Sequence, residues 1–229
     1  MKRGVLTFPV ARLSALFLAA ACANARPTTS APSAQPVSKA ESDRAAASRA
    51  RSDSTRRPYT AADVHFVSGM IGHHAQAIAM SQWAESHGAS SSVRTLAGRI
   101  INAQRDEITL MQNWLRDRQQ PVPAADPRGM TMNMGGMTHT MLMPGMLTDA
   151  QMKELDAARG TEFDKLFLTF MIQHHRGAVQ MVKELLDTPG SVNDETVWKL
   201  ANDVNVDQTT EITRMQQMLA LLTIQGRLP

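Results

Sequence analysis

Two pairs of adjacent histidines are the residues of this chain best suited to metal chemistry. Both pairs lie in segments that share a Phe, a Met, a β-branched residue, an Ala and a final Met in the same order, so the segments read as copies. Imidazole and thioether are ligands that soft or borderline transition metals prefer. The repeated pattern therefore predicts a metal-binding site. Its candidate ligands are Met70, His73, His74, Met80, Met171, His174, His175 and Met181.

Helical spacing brings each imidazole close to a thioether. His74 follows Met70 by four residues and His73 precedes Met80 by seven, so each pair shares one side of a helix that turns about 100° per residue. Histidine on an apolar face and methionine at helical spacing are also typical of ordinary packing, which leaves a metal-free core as the alternative. Metal binding is favoured because these residues occur together with an export signal and a second methionine-rich segment.

That second segment lies in a long connection, residues 119–148. Seven of the 16 methionines fall between positions 129 and 146, among Gly and Pro residues that should prevent regular structure. Met-x-Met and Met-x-x-Met spacings on a flexible backbone allow several neutral sulfurs to surround copper(I) without loss of a proton. A disordered low-complexity linker is the alternative. The additional candidate ligands are Met130, Met132, Met134, Met137, His139, Met141 and Met143.

The first 25 residues have the form of a secretory signal. Lys2, Arg3 and Arg12 accompany an apolar stretch, residues 13–21, that is too short to span a bilayer as a helix. Cys22, the only cysteine, follows a segment that resembles a bacterial lipobox, so lipid-anchored and freely secreted forms are both compatible with the sequence. The folded part therefore has no thiol, and a soft-metal site in it must use Met and His.

The charge balance gives no indication of a nucleic-acid partner. The chain has 24 Lys and Arg against 21 Asp and Glu, but three of the basic residues and none of the acidic ones lie in residues 1–25. Residues 26–229 contain 21 basic and 21 acidic residues, so they have no excess positive charge that would indicate nucleic-acid binding. Residues 26–57 are rich in Ala, Ser, Pro and Thr and should form a flexible tether. Residues 58–229 are then left as one domain with its own core.

The helices predicted in that domain form two copies of one hairpin. Apolar residues fall at helical spacing from about 60 to 88, 93 to 118, 161 to 188 and 192 to 222, and a short helix follows Thr148 and reaches about residue 159. Thr60 with Asp63, and Thr161 with Asp164, resemble capping boxes. Two such hairpins bury their apolar faces as an antiparallel four-helix bundle. The fold class is all-α, and strand signals are absent.

Polar residues of the partner helices should lie near the histidines. In an antiparallel hairpin that turns near Gly88, Gln104 is level with the histidine pair and Glu107 with Met70, and the second hairpin repeats both matches. His87 lies in the turn and is expected to face solvent. Weaker candidate ligands around this level are Glu107, Met111, Glu211 and Met215.

The combined pattern closely resembles the domain of unknown function 305 family. The likeness rests on the run Met-Ile-Gln-His-His at 171–175 followed by Gln208, Glu211 and Met215, and on the corresponding residues of the first half, and covers about residues 60–222. That family is exported in bacteria, has a ferritin-like four-helix fold and includes periplasmic copper-binding members that use Met and His. The resemblance implies copper, with copper(I) favoured, bound by the eight residues named first and by the central Met-rich connection. It also implies a periplasmic or cell-envelope location.

Binding is expected rather than catalysis. A ferritin-like dimetal oxidase typically uses two Glu-x-x-His motifs with two further Glu, and no Glu-x-x-His occurs in this chain. Neither a nucleophile elbow nor a His-Glu-x-x-His zinc signature is present. The expected function is copper sequestration or homeostasis by an exported protein. A metal-free structural or partner-binding bundle is the alternative, and a metal-dependent oxidase is less favoured.

Overall fold

The computed structural model describes Lys39, Arg44 and residues 58–134 and 137–225, with only the backbone given for residues 131–134, 137–139 and 225. The expected signal peptide, Cys22 and nearly all of the tether lie outside the described residues. No helix in the described part of the chain is long and apolar enough to cross a membrane. The helices and strands given below all belong to one compact unit, Arg51–Pro229.

Two long helical hairpins build this unit. Helix α1 (Ala61–Ser86) packs along α2 (Ser91–Asp117), and α4 (Gly160–Leu186) packs along α5 (Glu195–Gln225). Contacts between α1 and α4 join the two hairpins, and the short helix α3 (Asp149–Ala157) contacts both of these helices. The structure therefore confirms an all-α bundle made of paired helical hairpins.

Side-chain caps begin four of the described helices, and at α5 the Asp194 carboxylate accepts from the Thr196 and Val197 N–H groups. At α1, the Thr60 hydroxyl accepts from the Asp63 N–H, and the Asp63 carboxylate accepts from the Thr60 N–H at 2.7 Å. Thr148 and Gln151 form the same reciprocal pair at α3, and the Ser90 hydroxyl caps α2. Each cap satisfies N–H groups that have no partner inside the helix, so these polar residues fix where the helices start.

The start of α4 differs from the prediction. The capping box expected between Thr161 and Asp164 is wrong, because the helix already begins at Gly160 after Arg159, whose side chain makes no cap. The two oxygens of the Asp164 carboxylate instead share the single Ser90 N–H, at 3.1 and 3.2 Å. Because Ser90 is the N-cap residue of α2, this contact ties one hairpin to the other.

A two-stranded antiparallel sheet occupies the middle of the connection, where no regular structure was predicted. Strand β1 (Met130–Met134) pairs with β2 (Met137–Met141), with Met130 opposite Met141 and Met134 opposite Met137. Met or His alternates with Thr or Asn along both strands, and the sequence between the strands is Gly-Gly, a dipeptide that favours a two-residue hairpin turn. The prediction was wrong because the glycines were interpreted only as preventing regular structure, although Gly-Gly between two such segments also favours a hairpin.

Two apolar clusters fill the bundle, one on each side of its middle. The first combines the N-terminal halves of α1 and α5 with the C-terminal halves of α2 and α4, and the second combines the opposite halves. Along α1 the first cluster ends at Ile71 and the second starts at Ala77, and along α4 the second ends at Ile172 and the first starts at Ala178. Both His-His pairs fall in these gaps. We call this level the histidine layer: His73, His74, His174 and His175 with Gln104, Glu107, Gln208 and Glu211.

Candidate metal centre

All four histidines of the layer are completely buried where α1 meets α4. The rings of His73 and His174 lie against each other, with centroids 3.8 Å apart and planes tilted by 42°. His74 and His175 flank this central pair, at ring-centroid distances of 6.4 Å from His73 and 6.1 Å from His174, respectively. The fold thus brings the two copies of the motif into one continuous group of imidazoles.

Hydrogen bonds to backbone carbonyls fix the tautomers of the central pair. His73 Nε2 lies 3.0 Å from the Pro144 carbonyl oxygen, and His174 Nε2 lies 3.0 Å from the His73 carbonyl oxygen. A carbonyl oxygen can only accept, so both Nε2 atoms carry the proton and donate it. In the neutral rings the lone pair is then on Nδ1. Both Nδ1 atoms are buried and have no hydrogen-bond partner.

Carboxylates hold the two outer histidines. His74 Nε2 lies 2.6 Å from Glu107 Oε2, and His175 Nε2 lies 2.6 Å from Glu211 Oε2. The two glutamates retain 19% and 22% of their side-chain exposure, so they lie at the edge of the layer. The Nδ1 atoms of His74 and His175 are likewise buried and unpartnered. Imidazoles that ligate metals commonly donate their other N–H to a carboxylate or carbonyl in this way.

Glu107 contacts His74, although the positions of these residues along the two antiparallel helices place Glu107 level with Met70. Side chains on a helix lean toward its N-terminus, and on α2 that direction leads from Glu107 back to the level of Gln104, where the histidines lie. Gln104 and Gln208 are buried at 2% and 3% exposure, and both Gln104 amide atoms and Gln208 Oε1 lack a hydrogen-bond partner. The layer therefore contains unsatisfied amide groups as well as unsatisfied imidazole nitrogens.

Burial keeps the central imidazoles neutral. It lowers the pKa of His73 to about 3, helped by repulsion from His74 and opposed by the hydrogen bond to Pro144. Burial also lowers the pKa of His174 well below its usual value, with further lowering by His73, His175 and His74. Neutral imidazole is the form that ligates metals, so these two rings are ready to bind without losing a proton.

The predicted methionine ligands divide between the two apolar clusters. Met70, Met111 and Met181 pack in the first cluster, and Met80, Met171 and Met215 pack in the second, all at 4% exposure or less. They therefore lie on either side of the histidine layer. Within the described part of the chain, no three His, Asp or Glu side chains are grouped so as to hold a metal ion.

The candidates in the connection have different environments. Met143 is buried and lies against Gly69 of α1, Met130 is partly buried, and Met141 is exposed. The side chains of the remaining candidates lie outside the described part of the structure, namely Met132, Met134, Met137 and His139. Met143 and Met130 thus pack on the first apolar cluster, whereas Met141 is exposed.

His87 is buried rather than exposed to solvent, so the expectation for this residue was wrong. Its Nε2 lies 2.9 Å from the Asp156 carbonyl oxygen, and its Nδ1 lies 2.9 Å from the Ser86 hydroxyl. The ring also packs against Trp83 and Phe163. The turn is covered because α3 and its C-terminal end fold over it. Both nitrogens of His87 are engaged, unlike those of the histidine layer.

The histidine motif itself does not indicate where the connection between the hairpins packs on α1 and α4. Gln76 donates to the Pro127 and Leu147 carbonyls at 3.0 Å and accepts from the Leu147 N–H at 2.7 Å. The equivalent position on α4 is Gly177, where a Cβ would lie 2.5 Å from Gly145 Cα. One copy therefore binds the connection with a side chain and the other admits its backbone. This difference between the repeats is the sequence signal that marks where the connection packs.

Known proteins share this sequence pattern and fold. A candidate secreted DUF305 protein from Streptomyces coelicolor has a crystal structure similar to this one, with a TM-score of 0.59 and 33% identity over 71% of this chain and 94% of that chain. CopM in its Cu(II)-bound form has a TM-score of 0.52 and 29% identity over 69% of this chain and 95% of that chain. CopM in its Cu(I)-bound form is similar to the same degree, with a TM-score of 0.51 and 28% identity over 70% of this chain and 96% of that chain.

A shorter match is found with the uncharacterized protein L153 of Acanthamoeba polyphaga mimivirus, which is 37% identical over 57 residues. These residues are 25% of this chain and 38% of that protein. The family model described as Domain of unknown function (DUF305) matches residues 63–219, which contain all of α2 and α4 and most of α1 and α5. The chain belongs to the DUF305 family.

Proposed function

We propose that this protein binds copper in the histidine layer and sequesters it outside the cytoplasm. The observation that carries the proposal is a set of four buried imidazoles whose Nε2 atoms are all hydrogen-bonded and whose Nδ1 atoms all lack a partner. Buried polar atoms without partners are rare in folded proteins and call for an explanation such as a bound ion. The similarity to the Cu(I)-bound and Cu(II)-bound forms of CopM supports copper as that ion.

Copper(I) fits the donors better than a divalent ion. His73 and His174 are neutral, and the thioethers of Met70 and Met171 lie one helical turn before the outer histidines. Burying a single positive charge among neutral donors is less costly than burying two. Glu107 and Glu211 place negative charge at the edge of the layer and offset it. Soft thioethers further favour copper(I) over zinc.

Binding without catalysis is the proposed activity. A dimetal oxidase of the ferritin type uses several carboxylates as direct ligands. In the histidine layer the two glutamates are already engaged by His74 and His175, which suits a supporting role. A metal-free bundle is the other candidate, and it would leave the four Nδ1 atoms and the amide groups of Gln104 unexplained.

Export of the protein is part of the proposal. It is supported by the signal-like residues 1–25 and by the similarity to the candidate secreted protein of Streptomyces coelicolor. Attachment through a lipid on Cys22 is left open by the sequence.

Competition with a copper(I) chelator under reducing conditions tests the proposal. We expect the protein to withdraw copper from a weak chelator, and the double variant His74→Gln/His175→Gln, which keeps a donor for each glutamate, to withdraw much less. His87→Gln is the matched control, because it changes a buried histidine whose nitrogens are both engaged. Circular dichroism checks that each variant is folded. Full copper retention by the folded double variant, or tighter binding of zinc than of copper, contradicts the proposal.

A further inference from the structure

The two halves of the bundle differ at one position that lies beside a small pocket. Residues of α4 repeat those of α1 after 101 positions, so Gly69 is equivalent to Phe170. Phe170 is a buried member of the second apolar cluster. At Gly69 the missing side chain leaves room that Met143 of the connection enters. Beside it is a small pocket with a volume of about 110 Å³, which we call the Gly69 pocket.

Soft donor atoms surround this pocket. A Cβ placed on Gly69 would lie 3.3 Å from Met143 Sδ and 3.5 Å from Met181 Cε, so the ends of both thioether side chains converge there. His65 lies one helical turn before Gly69 and also lines the pocket. Its side chain is exposed and makes no hydrogen bond within the described part of the chain. Glu184, one turn after Met181, contributes a carboxylate to the same rim.

The equivalent place in the other half lacks these donors. His65 corresponds to Leu166 and Glu184 to Trp83, and only Met181 has a sulfur equivalent, Met80. Duplication of the hairpin therefore does not account for the imidazole and the carboxylate in the Gly69 pocket. These polar residues occur in the half where the glycine leaves space and where the connection supplies a second thioether.

We propose that the Gly69 pocket is a separate site for a soft monovalent cation such as copper(I), with silver(I) as a usable probe. The thioethers of Met143 and Met181 and the imidazole of His65 supply neutral soft and borderline donors. The Glu184 carboxylate supplies a compensating negative charge. The exposed His65 gives access from solvent, in contrast to the buried histidine layer. The site shares no residue with the histidine layer and goes beyond the function proposed for it.

Counting bound silver on full-length variants tests this site. His65→Leu copies the residue of the other half, and Met143→Leu nearly conserves side-chain volume. Each should lose one silver ion per chain, or bind that ion at least tenfold more weakly. Met152→Leu, a methionine of α3 outside the pocket, is the control and should match the unmodified chain. His74→Gln/His175→Gln should keep this silver ion, which separates failure at this site from failure of the histidine layer.

A second measurement uses the unmodified chain, so its outcome does not depend on whether a variant folds. With ¹³C-labelled methionine methyl groups, the signals of Met143 and Met181 should both shift as silver(I) is added. Unchanged silver counts in His65→Leu and Met143→Leu would overturn the proposal. So would stationary methyl signals of Met143 and Met181 at silver concentrations that saturate the protein.

Discussion

The unusual residues are histidines that fold without a complete set of partners. The Nε2 atoms of His73 and His174 donate to carbonyl oxygens, while their Nδ1 lone pairs face a buried environment with nothing to accept from. A buried polar atom without a partner costs roughly 1–3 kcal/mol. Such a cost is expected at a site that becomes satisfied only when it binds its ligand.

Acid should destabilise the metal-free protein. The folded-state pKa of His73 is about 3, below the value of about 6.5 in an unfolded chain, so the unfolded state takes up the proton first as pH falls. The stability contributed by neutral His73 is complete above about pH 6.5 and is lost between there and pH 3. At pH 5 the loss is roughly 2 kcal/mol for this residue, and His174 should add to it.

Urea unfolding of the metal-free protein between pH 5 and 7.5 measures this dependence. The variant His73→Asn/His174→Asn should show a clearly smaller decrease in unfolding free energy toward pH 5. Equal pH dependence in the variant and the unmodified protein would show that the central histidines are not held neutral.

The two layer glutamates should tune metal affinity without binding the metal themselves. Glu107→Gln and Glu211→Gln keep the hydrogen-bond geometry but remove the charge that orients and polarises His74 and His175. Loss of such a partner typically weakens metal affinity 10- to 100-fold, so we expect that range in copper(I) competition. Glu154→Gln, an exposed glutamate of α3, is the matched control. Affinity equal to that of the control would rule out this supporting role.

At the scale of elements, the connection between the hairpins packs as part of the bundle. Gln173 donates to the Gly145 carbonyl at 3.3 Å, and Gln76 holds Leu147 through both its N–H and its carbonyl. The Pro144 carbonyl oxygen accepts a hydrogen bond from His73 Nε2. A segment expected to be flexible therefore helps to set the orientation of a ring in the histidine layer.

Gly177→Ala should disturb this docking. A Cβ there would overlap the Pro144 carbonyl and lie 2.5 Å from Gly145 Cα, so backbone would have to move. We expect a loss of about 2 kcal/mol or more in unfolding free energy. Gly98→Ala in α2 meets nothing within 4 Å and should be stabilising by about 0.5–1 kcal/mol. Denaturant unfolding compares the two, and similar values for both would mean that the connection does not pack on Gly177.

The helices and two of their caps could be predicted because apolar periodicity and the Thr-x-x-Asp and Thr-x-x-Gln patterns are local. The start of α4 could not, because Asp164 is used for a contact with Ser90 that depends on tertiary structure. The histidine layer was recognised from its repeat. The partner that fixes the tautomer of His73 could not be predicted. It is the backbone carbonyl of Pro144, and because every residue has a backbone carbonyl, no residue type marks its position.

At the scale of the whole molecule, a polar layer halfway along the bundle separates the apolar core into two clusters. Two apolar clusters lie on either side and hold the helices together, so the layer between them can retain unpartnered imidazole and amide atoms. Both halves contribute equally to the layer, and only one half has the Gly69 pocket. The two proposals thus combine one symmetric buried site with one asymmetric accessible site.

Anomalous diffraction at the copper edge, on crystals grown anaerobically with copper(I), tests the central claim most directly. We predict a peak between α1 and α4 within bonding distance, about 2 Å, of Nδ1 atoms of the histidine layer. The Nε2 atoms should keep their contacts with Pro144, Glu107 and Glu211. Copper found only on the methionines of the β1–β2 hairpin, with the layer unchanged and its Nδ1 atoms still unpartnered, would contradict the account.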